Sequence, residues 1–131
     1  MSEKESRNLA VVEALYAATG KGDWDAAEEL MTDDFFCSEG PEHPCAGTYR
    51  GRGALRELFT KVMSLTEVAG LEIEQSTAGG DYVITLVDIV LAGPPQVRVP
   101  VAEMFRFRDG KVCEIKPYYF DLTPLLQAVR R

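Results

Sequence analysis

Three carboxylates stand among apolar neighbours. Glu103 lies inside Val99-Pro100-Val101-Ala102-Glu103-Met104-Phe105, and Asp88 lies inside Ile84-Thr85-Leu86-Val87-Asp88-Ile89-Val90-Leu91. Glu39 follows Phe35-Phe36-Cys37-Ser38 and precedes Gly40-Pro41. Charged residues are seldom buried without a partner. Burial favours the neutral form of an acid, which can then act as a base near neutral pH or as a hydrogen-bond donor. The chemical type of Glu39 fits proton abstraction next to a carbonyl. Each acid also has a plainer reading. Glu39 would be an exposed loop acid, Glu103 an outward residue paired with a basic neighbour, and Asp88 an outer-face acid at a subunit contact.

Tyrosine hydroxyls are further candidate donors. Tyr119 shares strand parity with Ile115 and Pro117, whereas Tyr118 shares the opposite face with Glu114 and Lys116. A buried tyrosine usually finds a hydrogen-bond partner. His43 is the only histidine and lies between Cys37 and Cys45, near Glu39 and Glu42. That spacing matches no zinc pattern and lacks a second Cys or His pair, so neither a metal nor a cofactor is expected. The third cysteine is Cys113, and an odd count argues against a disulfide framework. The cysteines read as small hydrophobes and His43 as a loop residue. Nucleophilic Ser–His or Cys–His chemistry has no support.

The elements that position these groups are legible from periodicity. Leu9, Val12, Leu15, Tyr16 and Thr19 recur at helical spacing, with Ser6 as the expected cap and Gly20 and Gly22 as the stop. Asp23 caps a short second helix bearing Trp24, Ala27, Leu30 and Met31, which Thr32-Asp33-Asp34 ends. Phe35 to Cys37 reads as a short extended piece, and Thr48-Tyr49 as a short strand in a loop. Leu55, Leu58, Phe59, Val62 and Met63 mark a third, strongly amphipathic helix. After Gly70 the period changes to two. Strands are expected from Leu71, over Tyr82 to Ala92, over Val97 to Arg108, and over Lys111 to Phe120. Asp109-Gly110 is a hairpin turn. Pro117 suggests a bulge or edge, and Thr123-Pro124 opens a short final helix. Three helices followed by a four-stranded antiparallel meander make an α+β domain.

The 131 residues, 46% hydrophobic and 27% charged, fit one globular domain spanning 1–131. No apolar run is long enough to cross a membrane, and the start MSEKESRNLA is acidic where a leader would be basic, so a cytoplasmic protein is expected. The formal net charge of −7 disfavours nucleic acid and anionic membranes as partners. Arg50-Arg52-Arg56 and Arg106-Arg108 read as solvated faces.

Several short segments in order carry a resemblance. They are Gly22-Asp23-Trp24-Asp25, Met31-Thr32-Asp33-Asp34-Phe35, Gly51-Arg52-Gly53-Ala54-Leu55 and Phe105-Arg106-Phe107-Arg108-Asp109-Gly110-Lys111-Val112. With the three-helix start they resemble the nuclear transport factor 2-like superfamily over nearly the whole chain, and within it ketosteroid isomerase and the SnoaL-like polyketide cyclases. The resemblance implies a cone-shaped curved sheet wrapped around the long third helix, open at one end to an apolar pocket. It also implies a homodimer through the outer sheet face and a small hydrophobic molecule as ligand. The superfamily holds isomerases, dehydratases, epoxide hydrolases, cyclases and proteins without catalysis, so the fold does not settle function.

By the same resemblance, Glu39 falls where the isomerases place their general base, and Glu103 where they keep a protonated acid in the oxyanion hole, as Glu rather than Asp. Asp88 falls at a pocket position that the isomerases fill with an apolar residue. Their helix-borne tyrosine slot falls on Leu15, with Tyr16 one residue and about 100° further round the helix. Tyr16 or Tyr119 would be the donor, and Leu15, Phe35, Phe59, Met63, Leu86, Ile115 and Tyr119, with Trp24, would line the ligand site. The implied function is cofactor-independent acid–base catalysis on a small hydrophobic carbonyl substrate, by isomerisation, cyclisation or dehydration. Glu39 would take the proton while Glu103 or Asp88 donates to the oxyanion. The tyrosine offset, and the lack of a histidine on the third helix or the strands, favour the alternative of a non-catalytic domain that binds a small ligand or a protein. A third reading is a cation or amine binder.

Overall fold

Ser2, not Ser6, starts the first helix. Its side chain accepts from the backbone N–H of Glu5, and the Glu5 carboxylate accepts from the N–H of Ser2, forming a reciprocal box. The computed structural model describes residues 1–130. Helix α1 (Glu3–Lys21) runs from this cap to Gly22, whose φ of 73° reverses the chain while its N–H satisfies the carbonyls of Ala18 and Thr19. Asp23 caps α2 (Trp24–Glu29), as its spacing implied. The third helix, α3 (Ala54–Leu65), buries Ala54, Leu55 and Leu58 along its apolar stripe. The last, α4 (Thr123–Ala128), has Leu122 rather than Thr123 at its cap, and the N–H of Thr123 is taken by the Asp121 carboxylate.

Six strands form one mixed sheet: β1 (Met31–Glu39), β2 (Gly47–Arg50), β3 (Val68–Gly79), β4 (Tyr82–Leu91), β5 (Val97–Arg108) and β6 (Lys111–Tyr119), in the order β2-β1-β6-β5-β4-β3. The antiparallel meander from β3 to β6 is the one expected. The correction lies in the first half of the chain. Thr32-Asp33-Asp34 does not end a helix but already belongs to β1, which lies parallel to β6 and antiparallel to β2. Asp33 and Asp34 are tolerated there because their carboxylates reach Arg52 and Arg108 at the surface. Irregularities between Ile73 and Gln75 and between Arg106 and Phe107 break the ladders of the long strands, a device that bends sheets.

Helices α1 and α3 pack on the same face of this sheet. Val12 and Leu15 of α1 and Leu55 and Leu58 of α3 share one core with Phe35, Val83, Phe105 and Ile115. Each such side chain, fully buried, stabilises the fold by roughly 1.5–3 kcal/mol before entropy is counted. A smaller core of Leu91, Val99 and Leu125 ties α4 to β4 and β5. The β5–β6 hairpin turns through Asp109 (φ 52°) and Gly110 (φ 80°), both left-handed. Replacing Gly110 by Val puts a branched side chain at that dihedral, so stability in urea denaturation should fall by about 1–2 kcal/mol. An unchanged midpoint would show that the turn relaxes without cost.

Candidate functional site

The sheet register brings two of the acids level with each other. Cys37 of β1 pairs with Ile115 of β6, and Pro117 of β6 pairs with Glu103 of β5. Two residues beyond Cys37, Glu39 lies level with Pro117, so Glu39 and Glu103 flank the proline. Both reach into an apolar cavity of about 150 Å³ between the sheet and α1 and α3, with Leu125 of α4 in its wall.

Glu103 receives its partner from α1. The Tyr16 hydroxyl donates to Glu103 Oε1, a bond between residues 87 apart in sequence. The Tyr16 ring is steadied edge-on against Phe105, centroids 5.7 Å apart. Burial pushes the Glu103 carboxyl above its ordinary range, while the Tyr16 bond acts the other way. Burial and the neighbouring carboxylate push the Tyr16 hydroxyl up, so it stays a donor. Thr85, opposite Glu103 on β4 and fully buried, bonds Ser76 of β3 at 2.9 Å and continues the polar row beside Glu103.

Glu39 sits at the other side with a different partner. Its residue is 9% exposed, and its Oε1 is buried with no hydrogen-bond partner among the described residues. Its Oε2 faces His43 Nε2 at 3.5 Å. The backbone N–H of Cys45 donates to His43 Nδ1 at 2.9 Å, so a neutral ring carries its proton on Nε2, toward Glu39. Burial pushes His43 down to about 4, which keeps it neutral. Burial, then the nearby Glu103 charge, pushes Glu39 up to about 8. Tyr119 lies beside His43, ring centroids 5.6 Å apart, and burial with the two carboxylates keeps its hydroxyl protonated.

The positions expected from sequence divide clearly. Leu15, Tyr16, Phe59, Met63, Ile115 and Tyr119 line the cavity with Glu39 and Glu103. Leu15 and Tyr16 both reach it, so the tyrosine offset of one residue does not remove the donor. Asp88 does not reach it. Val87 and Ile89 hold the cavity-side parity of β4, leaving Asp88 on the other face, 3.9 Å from Arg98, which also pairs with Glu72. Leu86 shares that outer parity and is 43% exposed. Phe35 is fully buried in the core and Trp24 stacks edge-on against Phe59 instead of lining the cavity. His43 is the residue that the sequence undervalued. The turn after Glu39 folds it back to 4% exposure, and the i,i+4 spacing of Glu39 and His43 was its only signal. Cys37 also lines the cavity, its thiol pushed by burial up to about 12 and therefore inert. Among the described residues no three His, Cys, Asp or Glu side chains gather as a metal site requires.

The shift of Glu39 has a stability consequence. Its folded value of about 8 lies above the ordinary 4.5, so the folded state binds a proton that the unfolded state has lost. The contribution is fully present below pH 4.5 and is lost as pH rises through 8. Within that window this group lowers stability by up to about 1.4 kcal/mol per pH unit. Glu39→Gln should therefore flatten the pH dependence of urea unfolding between about pH 5 and 8 and stabilise the protein at pH 9. Parallel profiles for the two proteins would show that Glu39 ionises freely in the fold.

Residues 12–115 match the family model of the SnoaL-like domain. Bal32a, from a soil-derived mobile gene cassette, superposes with a TM-score of 0.86 at 21% identity, covering 98% of this chain and 100% of its own. An NTF2-like protein from Burkholderia xenovorans LB400 gives 0.77 at 24% identity, over 96% and 98% of the two chains. A proposed SnoaL-like polyketide cyclase from Jannaschia sp. CCS1 gives 0.79 at 23% identity, over 98% and 95%. No match is found among curated protein sequences. At these identities the likeness to solved structures speaks for the fold alone, while the family model spans most of the sequence: the chain belongs to the SnoaL-like domain family, within the NTF2-like fold.

Proposed function

We propose that the protein is an acid–base enzyme that moves a proton on a small hydrophobic carbonyl compound, with side chains alone as acid and base. One observation carries this reading: the Tyr16–Glu103 hydrogen bond opens onto the same apolar cavity as Glu39, whose Oε1 has no hydrogen-bond partner among the described residues. A substrate carbonyl held at Tyr16 and Glu103 would receive their O–H groups as negative charge develops on its oxygen. Glu39, on the other side of Pro117, would take the proton from the carbon next to that carbonyl and return it elsewhere or to the same carbon. The His43 Nε2–H toward Glu39 Oε2 leaves Oε1 as the free basic atom. No redox change occurs; one C–H bond breaks and one forms. Family membership supports the site's location in the cone, and isomerisation, cyclisation and dehydration all contain this step.

The reading extends to assembly. Leu86, Ala102 and Tyr118 lie in one row across β4, β5 and β6 on the sheet face away from the cavity, with Leu86 43% and Tyr118 56% exposed. Such a patch supports a second copy of the chain as the occupant of this face.

Cyclic β,γ-unsaturated ketones of one to four rings, incubated in D2O and followed by NMR, should show enzyme-dependent deuterium uptake next to the carbonyl. Glu39→Gln should slow it at least 100-fold, and Tyr16→Phe by about 10²-fold or more. The wild-type rate should climb with pH and level off above about 8, where Glu39 is ionised. No uptake with any ketone, or uptake indifferent to Glu39→Gln, would leave a domain that binds without catalysing. Light scattering of the wild type should give twice the monomer mass, and Leu86→Glu with Tyr118→Glu should return the monomer. A monomeric wild type at micromolar concentration would refute the sheet-face contact.

A further inference from the structure

The cavity is small, and its polarity is one-sided. Its volume is about 150 Å³. An engineered apolar cavity of that size in another protein holds one benzene molecule. Leu58, Phe59 and Val62 of α3 wall the space against β5 and β6, and Leu125 of α4 adds to that wall. The most exposed lining residues are Met63 at 48% and Leu71 at 40%, which mark an apolar mouth. Oxygen-bearing groups converge from Glu39, Glu103, Tyr16 and Tyr119, and none of the described residues lining the cavity is Lys or Arg. A bound carboxylate or phosphate would face two acids with no cation to offset it. The Tyr16 hydroxyl and Glu39 Oε1, which has no hydrogen-bond partner among the described residues, are suited instead to an uncharged oxygen that can both accept and donate.

We infer that the ligand is a neutral, single-ring compound of roughly six to ten non-hydrogen atoms, carrying a carbonyl or hydroxyl that reaches Tyr16 and Glu103 while its ring fills the space under α3. A steroid or fused polycycle would have to leave most of its rings outside Met63 and Leu71. A single ring also spans the space between the two acids across Pro117, so both can act on one molecule. This inference rests on the acid–base reading only for which end of the ligand holds the oxygen.

The test is an NMR titration at pH 7 with phenol, 2-naphthol, estradiol, benzoate and benzylamine. None of these needs to be turned over. Phenol should bind and shift the resonances of Tyr16 and Tyr119. Despite their greater hydrophobicity, 2-naphthol should bind at least tenfold more weakly and estradiol should give no saturable shift. Benzoate and benzylamine should each bind at least tenfold more weakly than phenol. Phe59→Ala, checked for folding by circular dichroism, should enlarge the cavity and improve 2-naphthol binding at least tenfold. Affinity that rises with ring number, phenol that fails to bind, benzylamine that binds best, or a folded Phe59→Ala with no gain for 2-naphthol would each overturn the inference. Normal ranking of the phenols without deuterium uptake on any ketone would retire the catalytic reading alone. Uptake that is fastest on four-ring ketones would retire the ring-size inference alone.

Discussion

Tyr16 of α1 donates to Glu103 of β5, and most of the site's character follows from that bond. A lone carboxyl on β5 would be costly in an apolar cavity. The hydroxyl from α1 makes it tenable, and in doing so it fixes the rotation of α1 against the sheet. The Phe105 ring packs edge-on against Tyr16, and Thr85, bonded to Ser76, stands beside Glu103 on the same face. Helix, strand and cavity are therefore set by one polar contact in surroundings where few polar contacts exist. Removing either partner would strand the other, so the interaction is a constraint on the fold as well as a chemical device.

Glu39 is governed by the opposite arrangement. It has a neutral neighbour, His43, at 3.5 Å, and its other oxygen has no hydrogen-bond partner among the described residues. The ring is kept neutral by burial and kept in one tautomer by the Cys45 N–H. It can orient the carboxyl without cancelling its charge. A protonated histidine there would hold Glu39 ionised and weaken it as a base, so the low histidine value and the high glutamate value belong together.

Much of the fold was legible because local signals agreed. The α3 stripe, the period-two strands from β3 to β6, the Asp109-Gly110 turn and the Asp23 cap each follow from a few residues. The β1 strand was not legible over Thr32 to Asp34. Its aspartates carry no alternation, and what makes them tolerable is Arg52 and Arg108, far away in sequence. Glu39 and Glu103 could be singled out because each acid follows or interrupts apolar sequence, and both line the cavity. The same reading failed for Asp88 because β4 is apolar on both faces, so parity cannot be read until the Thr85–Glu103 pairing is known. It failed for His43 because a loop has no period from which to read direction.

Pro117 carries a consequence of a different kind. An imino acid has no N–H to give, and the parallel ladder between β1 and β6 runs no further than Cys37 and Ile115. Past that point β1 stays with β2, where Glu39 pairs with Gly47, while β6 stays with β5. The sheet is unzipped along one seam, and the rings of His43 and Tyr119 stand beside that seam. The end of that seam lies in the main chain, at a residue with no proton to give, so a change of side chains elsewhere in the cavity can alter what fits there without closing the gap between the two strands.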